Sequence, residues 1–568
     1  MKIHFLTSTH NSLSQRLLTE LTARGHAVTV TLASDSDVMV KSVAEHAPDL
    51  IIAPMLKVAI PESVWSKHVC LIVHPGITGD RGASSLDWAI MSGEKTWGVT
   101  VLQAAAEIDA GPIWATREFQ IPGTSITKST LYRDQVTEAA VLGVLEAIAK
   151  FESRTFQPEP LVYGKTDVRG CLRATMRQSD RAIDWRRDTT AAVMRKIAAA
   201  DSAPGVLDSL FGAAFCLYGA HREDRQNGAP GQVLSQRDGA ICRATVDGAV
   251  WITHLKAKDH GAVAGAGLKL PAVHALGQRA ARIPISELPL DATVEYRTFR
   301  EIRYTEQEGV GYLNFDFYNG AMSTDQCRRL RDAFLFARRR PTRVIVLLGG
   351  RDFFSNGIHL NVIETGDAAL ESWRNINAIN DLIHEILITS SHLIIAGLRG
   401  NAGAGGAMLA LAADYVFSRE GVVLNPHYKG MGGLYGSEYW TYTLPRRVGR
   451  AAAVVLTEEC RAIGWREARA IGFIDDCFGS SVAGFEEDLS GRATDLAARQ
   501  DFWALLRAKH KRRLADERAK PLAIYRAEEL AHMHNNFYGP DPAYHEARRR
   551  FLYKHQAAKL PACVFPAA

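Results

Sequence analysis

The stretch Val69–Gly82, VCLIVHPGITGDRG, decides how the front of this chain is read: an apolar strand, Val69 to Val73, runs without a break into His74, Pro75 and Gly76. A histidine delivered by a strand's C-terminal end into a glycine-containing loop sits where open α/β sheets hold their ligands. Upstream, the hydrophobic periodicity predicts a strand from Ile3 to Leu6, a helix ending near Ala23, and strands at Ala27–Leu32 and Leu50–Ala53. Together these imply a parallel open sheet over roughly residues 1–160. Downstream, GVTVLQAAAEIDAGPI (98–113) ends a further strand pair with Glu107 and Asp109 ahead of a tight Gly-Pro turn. His74 and Asp109 are therefore expected to share one crevice. A carboxylate beside an imidazole fixes its tautomer and favours its charged form, which can steady an oxyanion or pass a proton.

At 568 residues the chain has room for two to four domains of about 150 residues each. Apolar residues make up 47% and charged residues 23%, the balance of a globular protein. Sixty-seven Lys and Arg against 62 Asp and Glu leave +5, too little to argue for a nucleic-acid partner and compatible with anionic small ligands. The eight cysteines, at 70, 171, 216, 242, 327, 460, 477 and 563, form no CxxC pair, as expected of a reducing cytoplasm. Neither a signal peptide nor a membrane span is expected, because the apolar runs are short and MKIHFLTSTHNS turns polar early.

The first domain is expected over 1–164. Over 165–275 the texture changes: IDWRRDTTAAVMRKIAAA reads as one helix, and short β runs at 214–218, 240–246 and 249–254 suggest a small β-barrel domain. Residues 276–297, punctuated by proline, read as a linker; an α/β pattern returns over 298–480, and 481–568 is helical and arginine-rich. GAVAGAGLK (261–269) lacks the strand–helix context of a dinucleotide fingerprint, and His532-x-His534 lacks further metal ligands, so no metal site is expected. Asn11 and Ser12 open a helix, where they cap it or hold a phosphate.

CLIVHPGITGDRG with GVTVLQAAAEIDAGP resembles the 10-formyltetrahydrofolate transferase and hydrolase superfamily, whose signature is Asn-x-His at a strand end and a later Leu-Asp-x-Gly. AIDW (182–185) and APG (229–231) are similar to the C-terminal domain of methionyl-tRNA formyltransferases. By position the resemblance makes His74 and Asp109 the catalytic pair, whereas Ile72 stands where the family has its asparagine. Losing one oxyanion donor costs on the order of 10²- to 10³-fold in rate. A thiol acceptor relaxes that demand, since a thiolate attacks a carbonyl more readily than an amine that must lose a proton.

FFSNGIHL (353–360) and GNAGAGGAML (400–409) resemble the crotonase superfamily of enoyl-CoA hydratases and isomerases. The resemblance implies a hole for a thioester oxygen made by the backbone N–H groups of Ile358 and Gly405. The usual acids are missing: His359 replaces the motif's Asp, Met408 stands at the first hydratase Glu, and the second falls near His427. In NPHYKGMGGLYGSEYWTYTLPRRVG (425–449), Tyr428 and Glu438 are the candidate acid and base, and Lys429, Arg446 and Arg447 are candidates for the phosphates of coenzyme A.

The combination is similar to [NiFe]-hydrogenase maturation factors that join these two modules. It implies two carriers, 10-formyltetrahydrofolate and coenzyme A, a formyl transfer from the first to the second, and release of CO from formyl-CoA. Maturation proteins are then the expected partners beside small molecules, in the cytoplasm. Three alternatives compete: a formyltetrahydrofolate hydrolase with an accessory CoA-binding domain, an amine formyltransferase, and a non-catalytic scaffold.

Overall fold

A computed structural model of the chain describes residues 1–123, 126–166, 168–258 and 267–553, so most of GAVAGAGLK, and Cys563, lie outside the described residues. The chain divides into two compact units, one built from Met1–Lys258, Pro271–Pro284 and Tyr296–Phe299, the other from Asp259–Leu270, Ile285–Glu295 and Arg300–Ala568. The stretch expected as a linker, 276–297, is thus shared between both units.

In the first unit, β1 (Lys2–Thr7), β2 (Ala27–Leu32), β3 (Leu50–Ala53), β4 (Cys70–His74), β5 (Thr96–Gln103) and β6 (Ile113–Gln120) form one sheet in the order β2-β1-β3-β4-β5-β6. Strands β1 to β4 are parallel, and β3 is wholly buried, as a continuous apolar run between covered faces should be. The expectation of a parallel sheet fails at β5 and β6, which pair antiparallel. The chain leaves β4 at His74, passes through one helix, Ser85–Ser92, and does not cross back over the sheet before Thr96. The chain instead re-enters the sheet beside the end it left, with Thr100 opposite His74.

Residues 183–189 are not helical, contrary to the sequence reading; the helix spans Thr190–Ala200. Asp188 accepts from the Asp184 N–H at 2.8 Å and Asp184 from the Arg186 N–H at 3.0 Å, so side chains take the donors a helix would use. Thr189 then caps the helix. The small β module is an antiparallel sheet of strands Val206–Leu210, Ala213–Glu223, Ala249–Ala257, Ala240–Ala244 and Val233–Arg237, in that order.

The second unit is built on a sheet ordered Ile302–Gln307, Val310–Phe315, Val344–Leu348, Leu393–Leu398, Tyr415–Arg419 and Asp476–Phe478. The first pair is a hairpin turned by Glu308 and Gly309, both left-handed, and the remaining strands are parallel. Shortly after three of the parallel strands the chain adds a strand to a second, four-stranded sheet of Phe353–Ser355, Asn401–Gly403, Val423–Asn425 and Ile463–Gly464. The glycine-rich motifs lie in this second layer and at the start of the helix Gly405–Leu411. Helices Val482–Ala498, Phe502–Ala519, Leu522–Tyr538 and Ala543–Tyr553 complete the unit. No described helix is long and apolar enough to cross a membrane.

Candidate active sites

Strand β4 carries Ile72 and His74 on one face, because side chains alternate along a strand. Ile72 packs against the cluster of Leu6, Ile51 and Cys70, so an apolar contact stands where the transferases have an amide. His74 is buried, and its Nδ1 lies 3.7 Å from Asp109 Oδ2. Asp109 arrives by a detour. Ala104 donates to the Cys70 carbonyl at the far end of β4, so residues 104–109 double back along the sheet. Arg81 pins that return through the Ile108 carbonyl at 2.9 Å and Glu107 at 2.7 Å. Asp109 itself is left-handed, with φ +55°, a conformation that costs a non-glycine residue about 1 kcal/mol or more.

A second carboxylate, missed in the sequence, meets the other ring nitrogen: Asp80 Oδ2 lies 3.1 Å from His74 Nε2. The ring and Asp80 fold over Gly76 so closely that a methyl there would collide with both.

In the second unit Gly405 opens the helix Gly405–Leu411, at a position whose N–H has no acceptor within the helix. Ala404 before it holds φ +47° and ψ −129°, a conformation disfavoured for an L-residue. Gly357 approaches so closely that a methyl on it would stand 3.1 Å from the Gly405 nitrogen, which brings the strand Gly357–Ile358 alongside the helix start. The expected amide pair thus lies on two touching segments. Opposite it is Glu438: a methyl at Gly405 would collide with Glu438 Oε1.

Glu438 Oε2 accepts from the Tyr428 hydroxyl at 2.8 Å and the Ser437 N–H at 3.0 Å. Burial pushes the Glu438 carboxyl up to about 7 against those two hydrogen bonds, with a small further push from Glu529. Burial and the neighbouring Glu438 hold the Tyr428 phenol well above its ordinary range. Glu438 and Tyr439 are both left-handed, at φ +65° and +57°. Asn380, on the helix Ala368–Ile388, accepts from the Glu438 N–H at 2.8 Å. Glu529, on Leu522–Tyr538, accepts from the Tyr439 and Thr441 N–H groups, both at 2.9 Å. Two helices distant in sequence therefore clamp the strained turn that presents Glu438.

The replaced hydratase positions do other work. Met408 is core, His359 caps the short helix Leu360–Ile363, and burial pushes His427 down to about 4, leaving it neutral. Asn11 caps the helix Ser12–Ala23 through the Ser14 N–H and donates to Tyr132 at 3.1 Å, with Ser12 the first helical residue. Arg446 pairs with Asp516, Arg447 with Asp475 and two carbonyls, and Lys429 with Glu458, so a phosphate at any of them competes with a carboxylate. His532 stacks on Tyr435 and His534 meets Trp373 edge-on. Among the described residues no group of three potential ligands gathers for a metal.

Three families match parts of the chain: formyl transferase over 33–148, formyl transferase C-terminal domain over 175–267, and enoyl-CoA hydratase/isomerase over 305–552. The hydrogenase maturation factor HoxX of Bradyrhizobium diazoefficiens is 48% identical over 566 residues, 99% of this chain and 96% of its own length. A methionyl-tRNA formyltransferase from Thermotoga neapolitana is 30% identical over 197 residues, 34% of this chain and 61% of that enzyme. The crystal structure of HypX from Aquifex aeolicus in complex with tetrahydrofolic acid matches with a TM-score of 0.95 and 45% identity, covering 99% of this chain and 98% of that one.

Proposed function

The chain belongs to the HypX/HoxX family of hydrogenase maturation factors, and on that premise we propose that it makes carbon monoxide for a [NiFe] active site from 10-formyltetrahydrofolate, by way of formyl-CoA. Supporting the folate half are the tetrahydrofolic acid in the Aquifex aeolicus HypX structure and, in this chain, the buried His74–Asp109 pair. His74 takes the proton of the CoA thiol as sulfur attacks the formyl carbon. The bond from that carbon to N10 of the folate breaks, and the proton passes on to N10. A sulfur nucleophile suits a crevice in which Ile72 offers no oxyanion donor.

Formyl-CoA has no α-carbon, so the enolate of ordinary crotonase chemistry cannot form on it. The proton available is the formyl hydrogen. The N–H groups of Ile358 and Gly405 polarise the thioester oxygen, Glu438 takes the formyl proton, the carbon–sulfur bond breaks with its electron pair on sulfur, and CO departs. The Tyr428–Glu438 pair then returns a proton to the thiolate, so that formyl-CoA yields CO and CoA. One observation carries this reading: a buried, uncharged-to-charged poised carboxyl stands against Gly405 where the hydratase acids have been replaced by Met408 and a neutral His427. For the CoA phosphates, Asn11, Ser12, Lys429, Arg446 and Arg447 are the proposed contacts. We place the reaction in the cytoplasm, with maturation proteins receiving the CO.

Incubating the purified protein with 10-formyltetrahydrofolate, with and without CoA, while trapping CO on a haem protein tests the whole reading. CO should require CoA, His74 and Glu438. Formate released without CoA would instead make the chain a hydrolase.

A further inference from the structure

Asp80 belongs to neither half of the reaction as described, yet it is among the most enclosed carboxylates of the first unit, with a side chain 0% exposed. Its two oxygens have different partners. Oδ2 faces His74 Nε2 at 3.1 Å, and Oδ1 accepts from Arg173 Nε at 3.1 Å. Arg173 follows a segment that runs alongside the loop: Gly170 N–H donates to the Thr78 carbonyl at 3.0 Å, Arg81 N–H to the Cys171 carbonyl at 3.2 Å, and Arg173 N–H to the Arg81 carbonyl at 3.0 Å. The loop's start is fixed as well, since Trp97 and Ser85 donate to the Pro75 carbonyl and Thr100 to that of Gly76. Asp80 is therefore built into a braced loop with one oxygen aimed at the ring.

A carboxylate accepts hydrogen bonds and donates none. Of the two facing the ring only Asp80, at 3.1 Å, is within hydrogen-bond reach while Asp109 stands 3.7 Å away, so in the neutral ring the proton belongs on Nε2. In the neutral imidazole the lone pair then lies on Nδ1, which faces Asp109. We propose that Asp80, held from behind by Arg173, is a positioning residue that locks His74 as the Nε2–H tautomer and directs the working proton of formyl transfer through Nδ1, on the Asp109 side. With Ile72 in place of an amide, orientation of the ring falls to Asp80. The reaction part of this inference rests on the proposed formyl transfer; the tautomer part does not.

The test uses full-length protein labelled with 15N-histidine, with the His74 signals identified by their loss in His74→Gln. The wild type should show a protonated Nε2 and an unprotonated Nδ1 at His74. Asp80→Asn, whose amide also offers an N–H, should release this tautomer and slow folate-dependent formyl transfer to CoA by about 10²- to 10⁴-fold with little change in KM, as loss of an orienting carboxylate does in Ser-His-Asp enzymes. Arg173→Gln, which leaves Asp80 in place, should cost less, about 10-fold, and serves if Asp80→Asn fails to fold. A wild-type His74 protonated on Nδ1, or an Asp80→Asn protein retaining both tautomer and rate, overturns the inference. Absence of any formyl transfer in the wild type would instead sink the proposed reaction while leaving the tautomer result to stand by itself.

Discussion

Tyr428 donates its phenolic proton to Glu438 Oε2 across 2.8 Å, and both residues are buried. Burial acts on them in the same direction, pushing the carboxyl up to about 7 and the phenol far higher. At neutral pH the phenol keeps its proton while the carboxyl is divided between its two forms. In the proposed decarbonylation, a base that takes a weakly acidic formyl proton and then surrenders it to a thiolate benefits from such a middle position. The turn that presents it is strained, and Asn380 and Glu529 hold it in place.

Removing the base while keeping its shape should stop CO release and leave the first unit's chemistry intact. Glu438→Gln is expected to lower CO production from formyl-CoA by about 10³-fold or more, with formyl transfer from folate to CoA unchanged. Tyr428→Phe should cost less, about 10- to 100-fold, since the carboxyl itself survives. Formyl-CoA accumulating in the Glu438→Gln reaction, measured by chromatography, would separate the two steps.

The pH profile follows from the same pair. A base works as its carboxylate, so CO release from formyl-CoA should rise with pH and reach half its plateau near the Glu438 value of about 7. The Tyr428 hydrogen bond favours the carboxylate. In Tyr428→Phe the midpoint should therefore move to higher pH, whereas a purely structural loss would lower the plateau and leave the midpoint where it is.

Much of this arrangement is legible in the sequence where chemistry coincides with local pattern. Strand β4 is visible as an apolar run and delivers His74 at its end; the glycines of GNAGAGGAML mark the helix start at Gly405 in the same way. Partners that depend on tertiary return are not visible. Glu529 lies in AEELAHMH, which reads as an ordinary amphipathic helix, and no spacing rule ties it to Tyr439. Asp80 stands inside the motif that announces His74, yet its aim depends on how residues 168–173 brace the loop. Likewise no local pattern in Thr96–Gln103 tells an antiparallel partner of β4 from a parallel one.

Gly405 is expected to tolerate no side chain. A methyl there collides with Glu438 Oε1 and must displace the base, the helix start, or both. Gly405→Ala should lose CO release by about 10²-fold or more, the scale of a lost oxyanion donor, while His74-dependent formyl transfer continues at the wild-type rate. Comparing the two half-reactions on one preparation checks this directly.

Restoring the transferase asparagine examines why it is missing. Ile72→Asn places an amide on the His74 face of β4 but removes an apolar contact with Leu6 and Ile51, at a cost of about 1–3 kcal/mol in stability. If a thiol acceptor makes the amide dispensable, the variant should gain less than 10-fold in transfer to CoA, and its formate release to water should rise more than its transfer. An increase of about 10²-fold in CoA transfer would show instead that the oxyanion donor limits the natural enzyme.

Glu529 ties the clamp on the active turn to overall stability. Burial pushes its carboxyl up to about 7 from an ordinary value of 4.5, despite hydrogen bonds from Thr441, Tyr439 and Ser437. The folded chain therefore binds more protons than the unfolded chain between those two values, and folding stability falls as pH rises through that window. The contribution is complete below 4.5 and gone above about 7, a difference of roughly 3 kcal/mol. Glu529→Gln abolishes this titration but loses an acceptor oxygen for two backbone N–H groups, at a cost of about 1–3 kcal/mol. In urea unfolding the variant should be clearly weaker than the wild type near about pH 5, with the gap closing toward about pH 8. A gap that stays constant across that range would mean that Glu529 is ionised throughout and clamps the turn as a carboxylate.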